Sequence, residues 1–330
     1  MVHEYPVHYS RGVHLPAAAV WIDATQKQDL AVVSHAHGDH IAGHRSVICT
    51  EATFRVLAHR LRRPIEPHLL AFGETMAVGD ATVSLHPAGH VLGSSQVLVE
   101  HRGLRILYSG DIRVRNGHTA EPLEHVDCDM LIVESTFGHP HYRFPSPEST
   151  TAQISGFCRR ALAEDRVPVL LAYSLGKGQE LLATLRDSGL RVLLHRSIHA
   201  IAHLYRDLGV DLPHAGCLDD ADGDVRDCVV VVPPHLRGIR AVERLAPLRM
   251  AVLTGWAVDP GTAPRMNCHS AFPLSDHADF DELIEYVQRS GARRVLTVHG
   301  FADEFAHQLR RRGVDASPLK RPEQLALQLA

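Results

Sequence analysis

The apolar run Leu30-Ala31-Val32-Val33-Ser34 passes without a break into His35-Ala36-His37-Gly38-Asp39-His40. The first five residues have the length and composition of a short buried strand. Four of the next six are metal-ligand types, so the strand end opens onto a place where ligands gather. In an extended chain alternate side chains share a side, which lets His35 and His37 hold one ion between them. Asp39 and His40 fall where the chain turns into a helix expected from near Ile41, and they point at a neighbouring position where a second ion can sit. Two divalent ions about 3.5–4 Å apart are a common device for phosphoester hydrolysis. A single HxH is weak evidence in a chain with 25 His, and the run gains its force from further ligand-type residues at His90, Asp111, His277 and His299.

The order of these pieces carries a resemblance. The HxHxDH run, Asp23 in Trp21-Ile-Asp23, His90 in Pro87-Ala-Gly-His90-Val-Leu-Gly93 and Asp111 in Tyr108-Ser-Gly-Asp111 are similar to the signature of metallo-β-lactamase-fold hydrolases. Glu134-Ser-Thr-Phe-Gly138, Leu274-Ser-Asp-His277-Ala-Asp279 and Thr297-Val-His299-Gly300 resemble the three further motifs of the β-CASP nucleases, the branch that acts on DNA and RNA. The resemblance spans about residues 20 to 305. Within the branch, His86-Pro-Ala-Gly-His90, Tyr173-Ser-Leu-Gly-Lys177 and Leu253-Thr-Gly-Trp256, together with the compact length, look closest to the bacterial ligase-associated DNA exonucleases.

The resemblance implies an α/β fold, a metallo-β-lactamase αββα sandwich with an inserted β-CASP α/β domain. It also implies a ligand set: His35, His37 and His90 for one ion, Asp39, His40 and His299 for the other, with Asp111 bridging. Imidazole and carboxylate suit Zn²⁺, with Mn²⁺ as the alternative, and the lack of thiolate in the set argues against a structural zinc knot. His277 is the expected general acid for the departing oxygen, with Glu134 as the carboxylate that orients it and favours its protonated form. Asp39 is expected to orient the attacking water. Asp23 is expected to accept a hydrogen bond from a ligand histidine, a partner that metal sites commonly require.

The implied activity is metal-dependent hydrolysis of nucleic acid. The several matching stretches favour a single-strand DNA exonuclease in repair, with DNA ligase and helicase as partners. His299 favours RNA processing instead, since in eukaryotic relatives His at that position goes with RNA enzymes and Val with DNA enzymes. A di-iron flavoprotein is disfavoured by His37, where Glu is expected. A glyoxalase-type thioesterase would lack the Glu134 and His277 motifs, and a non-catalytic scaffold subunit would have lost ligands.

Chain organisation follows the same pieces. Strand-like runs fill residues 1–145 up to the proline-rich break Gly138-His-Pro-His-Tyr-Arg-Phe-Pro-Ser-Pro147, where His139 and His141 read as loop residues. Alternating helix and strand patterns over 146–260 suggest an inserted parallel sheet with flanking helices, and 261–330 return to the first domain. That arrangement predicts a cleft between domains, with the metals at its floor. In the insertion, the strand ending at Ser174 turns through Leu175-Gly-Lys177 into a helix. Ser174, Lys177 and Ser275 are the expected contacts to substrate phosphate, and Lys177 stands out because the chain has only three Lys. The turn is not a Walker A sequence.

Composition is that of an ordinary globular chain, with 45% hydrophobic and 22% charged residues. No apolar run reaches the ~18 residues of a membrane span, and Met-Val-His-Glu-Tyr-Pro lacks the pattern of a secretory leader. Six Cys without a CxxC read as reduced thiols and a cytoplasmic setting. A net charge of −4 supplies no global field for nucleic acid, which leaves a local groove to do so. The Arg-rich pieces Arg60-Leu-Arg62-Arg63 and Arg310-Arg-Arg312 read mainly as solvated helix faces.

Overall fold

Strands that alternate between two apolar faces organise the first part of the molecule. In Leu104–Tyr108, Ile106 and Tyr108 enter one core and Leu107 the other; in Met130–Glu134, Met130 and Ile132 face one side and Leu131 and Val133 the opposite side. A sheet made of such strands must be covered on both faces. The computed structural model describes residues 5–221, 225–245 and 247–319, so residues 1–4, read above for a leader pattern, lie outside it.

Among the described residues this sheet has seven strands, in the order Ala316–Pro318, Arg294–Val298, Met130–Glu134, Leu104–Tyr108, Ser95–His101, Ala81–Pro87 and Thr75–Val78. The first four are parallel and the remainder antiparallel. A second sheet of six runs in sequence order: His8–Tyr9, Val13–Leu15, Val20–Ile22, Leu30–Val32, Ser46–Cys49 and Glu66–Leu69. Leu15, Ile22, Val32 and Ile48 of the six-stranded sheet and Leu85, Val97, Ile106 and Val298 of the seven-stranded sheet share one core. Helices Phe280–Arg289 and Ala302–Arg310 cover the outer face of the larger sheet through Phe280, Leu283, Phe305 and Leu309. Helix Glu51–Leu61 buries Val56 and Leu57 beside the smaller one. The result is the expected αββα sandwich, in which each fully buried Leu or Phe contributes about 1.5–3 kcal/mol.

The chain divides into two compact units: Met1–Asn116, Ala120–Pro140 and His277–Ala330 form one, and Gly117–Thr119 with His141–Asp276 the other. The second unit is a parallel sheet of six described strands, in the order Gly216–Cys217, Arg191–Leu194, Cys228–Val232, Val167–Leu171, Leu248–Leu253 and Ser270–Phe272. Its last strand lies beyond the boundary drawn at 260 from sequence. Ser270–Phe272 pairs with Leu248–Leu253, which keeps the chain in this unit until Asp276. The short piece Gly117–Thr119 joins the unit because the Glu180 carboxylate accepts from the His118 N–H and the Thr119 hydroxyl, each at 3.0 Å.

The helix expected from Ile41 is absent. Residues 38–40 form a turn closed by His40 N–H to the His37 carbonyl at 3.1 Å, and irregular chain leads to the strand Ser46–Cys49. Only five residues separate His40 from that strand, and one is Gly43, which leaves no room for a stable helix.

All six Cys are free thiols. Burial pushes Cys49, Cys128 and Cys158 up to about 12, and Cys228 is fully buried. A thiol titration of the native protein at pH 8 is therefore expected to find fast reaction at Cys217 and Cys268 alone, rising to six on unfolding. Fast native reaction of four or more would contradict this core. No described helix is long and apolar enough to cross a membrane.

Candidate metal centre

The loops at the strand ends of the sandwich bring the candidate ligands together. His35 follows Leu30–Val32, His90 follows Ala81–Pro87, Asp111 follows Leu104–Tyr108, and His299 follows Arg294–Val298. His35, His90 and His40 are almost fully buried. Nε2 of His35 lies 3.1 Å from Nδ1 of His37, and Nε2 of His90 lies 3.0 Å from the same atom. Three imidazole nitrogens converging this closely fit a shared cation, since ligands of a tetrahedral Zn²⁺ at 2.0–2.1 Å stand roughly 3.3 Å apart. With Asp111, these residues offer donor atoms within 4.8 Å of one another.

Asp111 sits between the two ligand groups. Its Oδ2 is 3.5 Å from His35 Nε2, 3.4 Å from His40 Nε2 and 3.8 Å from His90 Nε2. Burial opposes its ionisation, but the facing His40 and His277 hold its carboxyl well below the usual carboxylate range. Burial would lower His40, yet Asp111 and Asp23 outweigh it and hold the ring well above its ordinary value. Burial and the neighbouring His40 keep His35 well below its ordinary value, so it remains a neutral ring with a lone pair to give. His299 is lowered chiefly by burial. Asp39 stands at the open side: its side chain is 83% exposed, and its Oδ2 is 3.8 Å from His40 Nε2.

The Nδ1 atoms of His35 and His40, which face away from the cluster, have partners. Asp23 is the hub of this outer layer. Its carboxylate accepts from the Ser34 N–H at 2.7 Å, the Ser34 hydroxyl at 2.6 Å and His40 Nδ1 at 2.8 Å. Tyr108 adds a further bond to Asp23, and burial pushes its phenol well above the usual range, so it stays a neutral donor. Asp23 occupies the left-handed region at φ 48°, a conformation that Asp tolerates better than most residues. The Ser34 hydroxyl in turn lies 3.0 Å from His35 Nδ1.

His277 and Glu134 form the pair expected from their motifs. His277 Nδ1 is 3.0 and 3.1 Å from the two oxygens of Glu134, which is buried, and its Nε2 is 4.0 Å from Asp111 Oδ2. Glu134 also accepts the Ile112 N–H at 2.8 Å, and Ala278 N–H donates to the Ile112 carbonyl at 2.7 Å. One carboxylate thereby ties the Asp111 loop to His277. Just beyond, Asp279 caps helix Phe280–Arg289 in a capping box with Glu282, and Arg115 grips both carboxylates.

His299 is held by a clasp that the sequence did not reveal. It sits at φ 61°, followed by Gly300 at φ 48°. The Ser135 hydroxyl donates to the carbonyls of Val298 and His299 at 2.8 and 2.7 Å, and Phe301 N–H donates to the Ser135 carbonyl at 2.8 Å. A Cβ on Gly300 would lie 2.4 Å from that carbonyl oxygen, so only glycine fits.

The three expected phosphate contacts belong to the second unit. Lys177 is buried, with Nζ 2.7 Å from Asp276 Oδ1. The N–H groups of Gly176, Lys177, Gly178 and Glu180 are bonded within the unit, to the Gln179 side chain and to the carbonyls of Leu175, Tyr173 and Gly176. Ser174 bonds Ser197 at 3.0 Å, and Ser275 is partly buried.

This arrangement has known counterparts. Residues 12–165 match the model of the beta-lactamase superfamily domain, and residues 264–317 match that of the Zn-dependent metallo-hydrolase RNA specificity domain. The first match contains Asp23, the HxHxDH run, His90, Asp111 and Glu134; the second contains His277 and His299. The chain belongs to the β-CASP nucleases of the metallo-β-lactamase fold.

Among relatives of this nuclease-family chain, a "Probable DNA ligase" from Opitutus terrae is 43% identical over 98% of the chain. The chain spans 32% of that relative's length. "DNA cross-link repair protein SNM1" from Arabidopsis thaliana is 26% identical over 78% of the chain and 58% of the relative. An "RNase J-like protein" from Methanocaldococcus jannaschii is 25% identical over 48% of the chain and 44% of the relative. A solved structure of a protein of unknown function from Enterococcus faecalis shares the fold. Its TM-score is 0.60 at 16% identity, covering 88% of this chain and 79% of that one.

Proposed function

We propose that this chain is a metal-dependent phosphodiesterase that degrades single-stranded DNA from an end during repair. The observation that carries the reading is the His277–Glu134 pair, in which Nδ1 is held by the Glu134 carboxylate and Nε2 lies 4.0 Å from Asp111 Oδ2. In the proposed centre His35, His37 and His90 would hold one divalent ion, Asp39, His40 and His299 would hold a second, and Asp111 would serve both; Zn²⁺ suits this set best and Mn²⁺ is the alternative. Such a pair would supply an acidified water and neutralise charge on the scissile phosphate.

The chain's own residues do the remainder. Asp39, exposed beside His40, accepts a hydrogen bond from the attacking water and orients it. As the P–O bond breaks, His277 Nε2 delivers its proton to the departing oxygen. Glu134 holds Nδ1–H, which leaves Nε2 as the proton donor and stabilises the charged ring before transfer. Asp23 and Ser34 keep the His40 and His35 rings turned towards the cluster.

DNA is favoured by the 43% identity to a relative named as a DNA ligase, extending over nearly the whole chain. That relative is about three times longer, which supports a DNA ligase as partner; a helicase as a second partner and the cytoplasm as the setting belong to the same proposal. A second reading, RNA processing, is favoured by the RNA specificity domain match over residues 264–317, which includes His299. The deciding experiment incubates the metal-analysed protein with 5′- and 3′-labelled single-stranded DNA and RNA of the same sequence, with Zn²⁺ or Mn²⁺. Mononucleotide release from DNA alone is expected. Preferred cutting of RNA would move the protein to the second reading, and hydrolysis of glutathione thioesters without nucleic-acid cleavage would overturn both.

A further inference from the structure

The outer partners of the buried imidazoles described so far are near in the chain: Ser34 is the neighbour of His35, and Asp23, the partner of His40, ends the adjoining parallel strand Val20–Ile22. His299 is different. Its Nδ1 lies 3.1 Å from the hydroxyl of Tyr9, a residue 290 positions away, and the two rings meet edge to face at 5.6 Å and 89°. Tyr9 belongs to the two-residue edge strand His8–Tyr9, which is attached to its sheet through Val13–Leu15. Tyr9, Asp39, His40, Tyr108 and His299 line one pocket of about 210 Å³, which places the phenol beside the proposed second-ion position.

Backbone contacts leave the ring orientation of His299 open. The Ser135 clasp fixes its carbonyl and the left-handed φ fixes the direction of its Cβ, but neither decides which ring nitrogen faces the cluster. A hydrogen bond at Nδ1 does decide it. With Nδ1–H donating to the phenol oxygen, Nε2 carries the lone pair and points the other way, the same logic by which Asp23 and Ser34 set His40 and His35.

We propose that Tyr9 is a positioning residue of the metal centre: its hydroxyl locks the tautomer and orientation of His299, so docking of the N-terminal edge strand completes the second ion position. The inference rests on the reading of His299 as a ligand, and the test separates the two. Wild type, Tyr9→Phe and His299→Ala are prepared metal-free, melted, and titrated with Co²⁺ against a competing chelator, with the visible d–d absorption recorded at each step.

Tyr9→Phe removes one oxygen and keeps the ring. The expected result is an unchanged melting temperature for the metal-free protein, an unchanged first ion, and a second ion weakened about 10- to 100-fold with an altered spectrum. His299→Ala should lose the second ion altogether. Wild-type affinities and spectrum in Tyr9→Phe, with the second ion lost in His299→Ala, would overturn the role of Tyr9 and leave the ligand reading intact. Equal weakening of both ions together with a lower metal-free melting temperature would reduce Tyr9 to a fold contact and also overturn the proposal. Two unperturbed ions in His299→Ala would sink the ligand reading itself.

Discussion

Replacing His277 with alanine is expected to abolish detectable phosphodiester cleavage while metal content stays at the wild-type value. The geometry separates the two readouts: Nδ1 of this imidazole is taken by Glu134, and Nε2 stands 4.0 Å from Asp111, beyond the tighter cluster of His35, His37 and His90. A positioned general acid contributes about 10²–10⁴-fold. Metal content by mass spectrometry and turnover on a labelled oligonucleotide check the expectation, and a variant that has lost its metal would make His277 a ligand. Glu134→Gln should fall between wild type and His277→Ala, because the neutral amide still accepts from Nδ1 but no longer stabilises the charged ring.

Asp111→Ala is expected to empty both metal positions together. One oxygen of this buried carboxylate lies within 4.0 Å of the Nε2 atoms of His35, His40, His90 and His277, so this one side chain faces both ligand groups. The loss in affinity should exceed the 10- to 100-fold typical of an outer-layer partner. Retention of two tightly bound ions would refute the bridging assignment.

The candidate ligands could be proposed from the string because each sits in a short motif, and motifs survive in a linear string. The second unit was readable as an insertion because its strands are continuous apolar runs such as Cys228–Val232 and Val167–Leu171. What the string concealed were the contacts that join distant segments. Ser135 looks like a spacer in Glu134-Ser-Thr, yet it holds the backbone of His299; Tyr9 carries no pattern at all until the fold places it against the same ring. The helix expected at Ile41 failed for a local reason, the five-residue gap to the next strand. Lys177 was singled out for its rarity, and its ammonium proved to be held by Asp276, a partner 99 positions away that no spacing rule would connect.

The interruption of the first unit by residues 141–276 sets an order in time. Seven of the sandwich residues that gather at the centre, from Asp23 to Asp111, leave the ribosome early, whereas His277 and His299 follow only after the whole second unit. Roughly 190 residues separate Asp111 from His299, which at ordinary synthesis rates is a delay of about 10–40 s. A nascent chain in that interval carries six of the seven proposed ligands and neither the proposed proton donor nor the last imidazole. A ribosome stalled within the second unit therefore releases a chain that lacks the proposed proton donor, the last proposed ligand and the strands Arg294–Val298 and Ala316–Pro318 of the larger sheet.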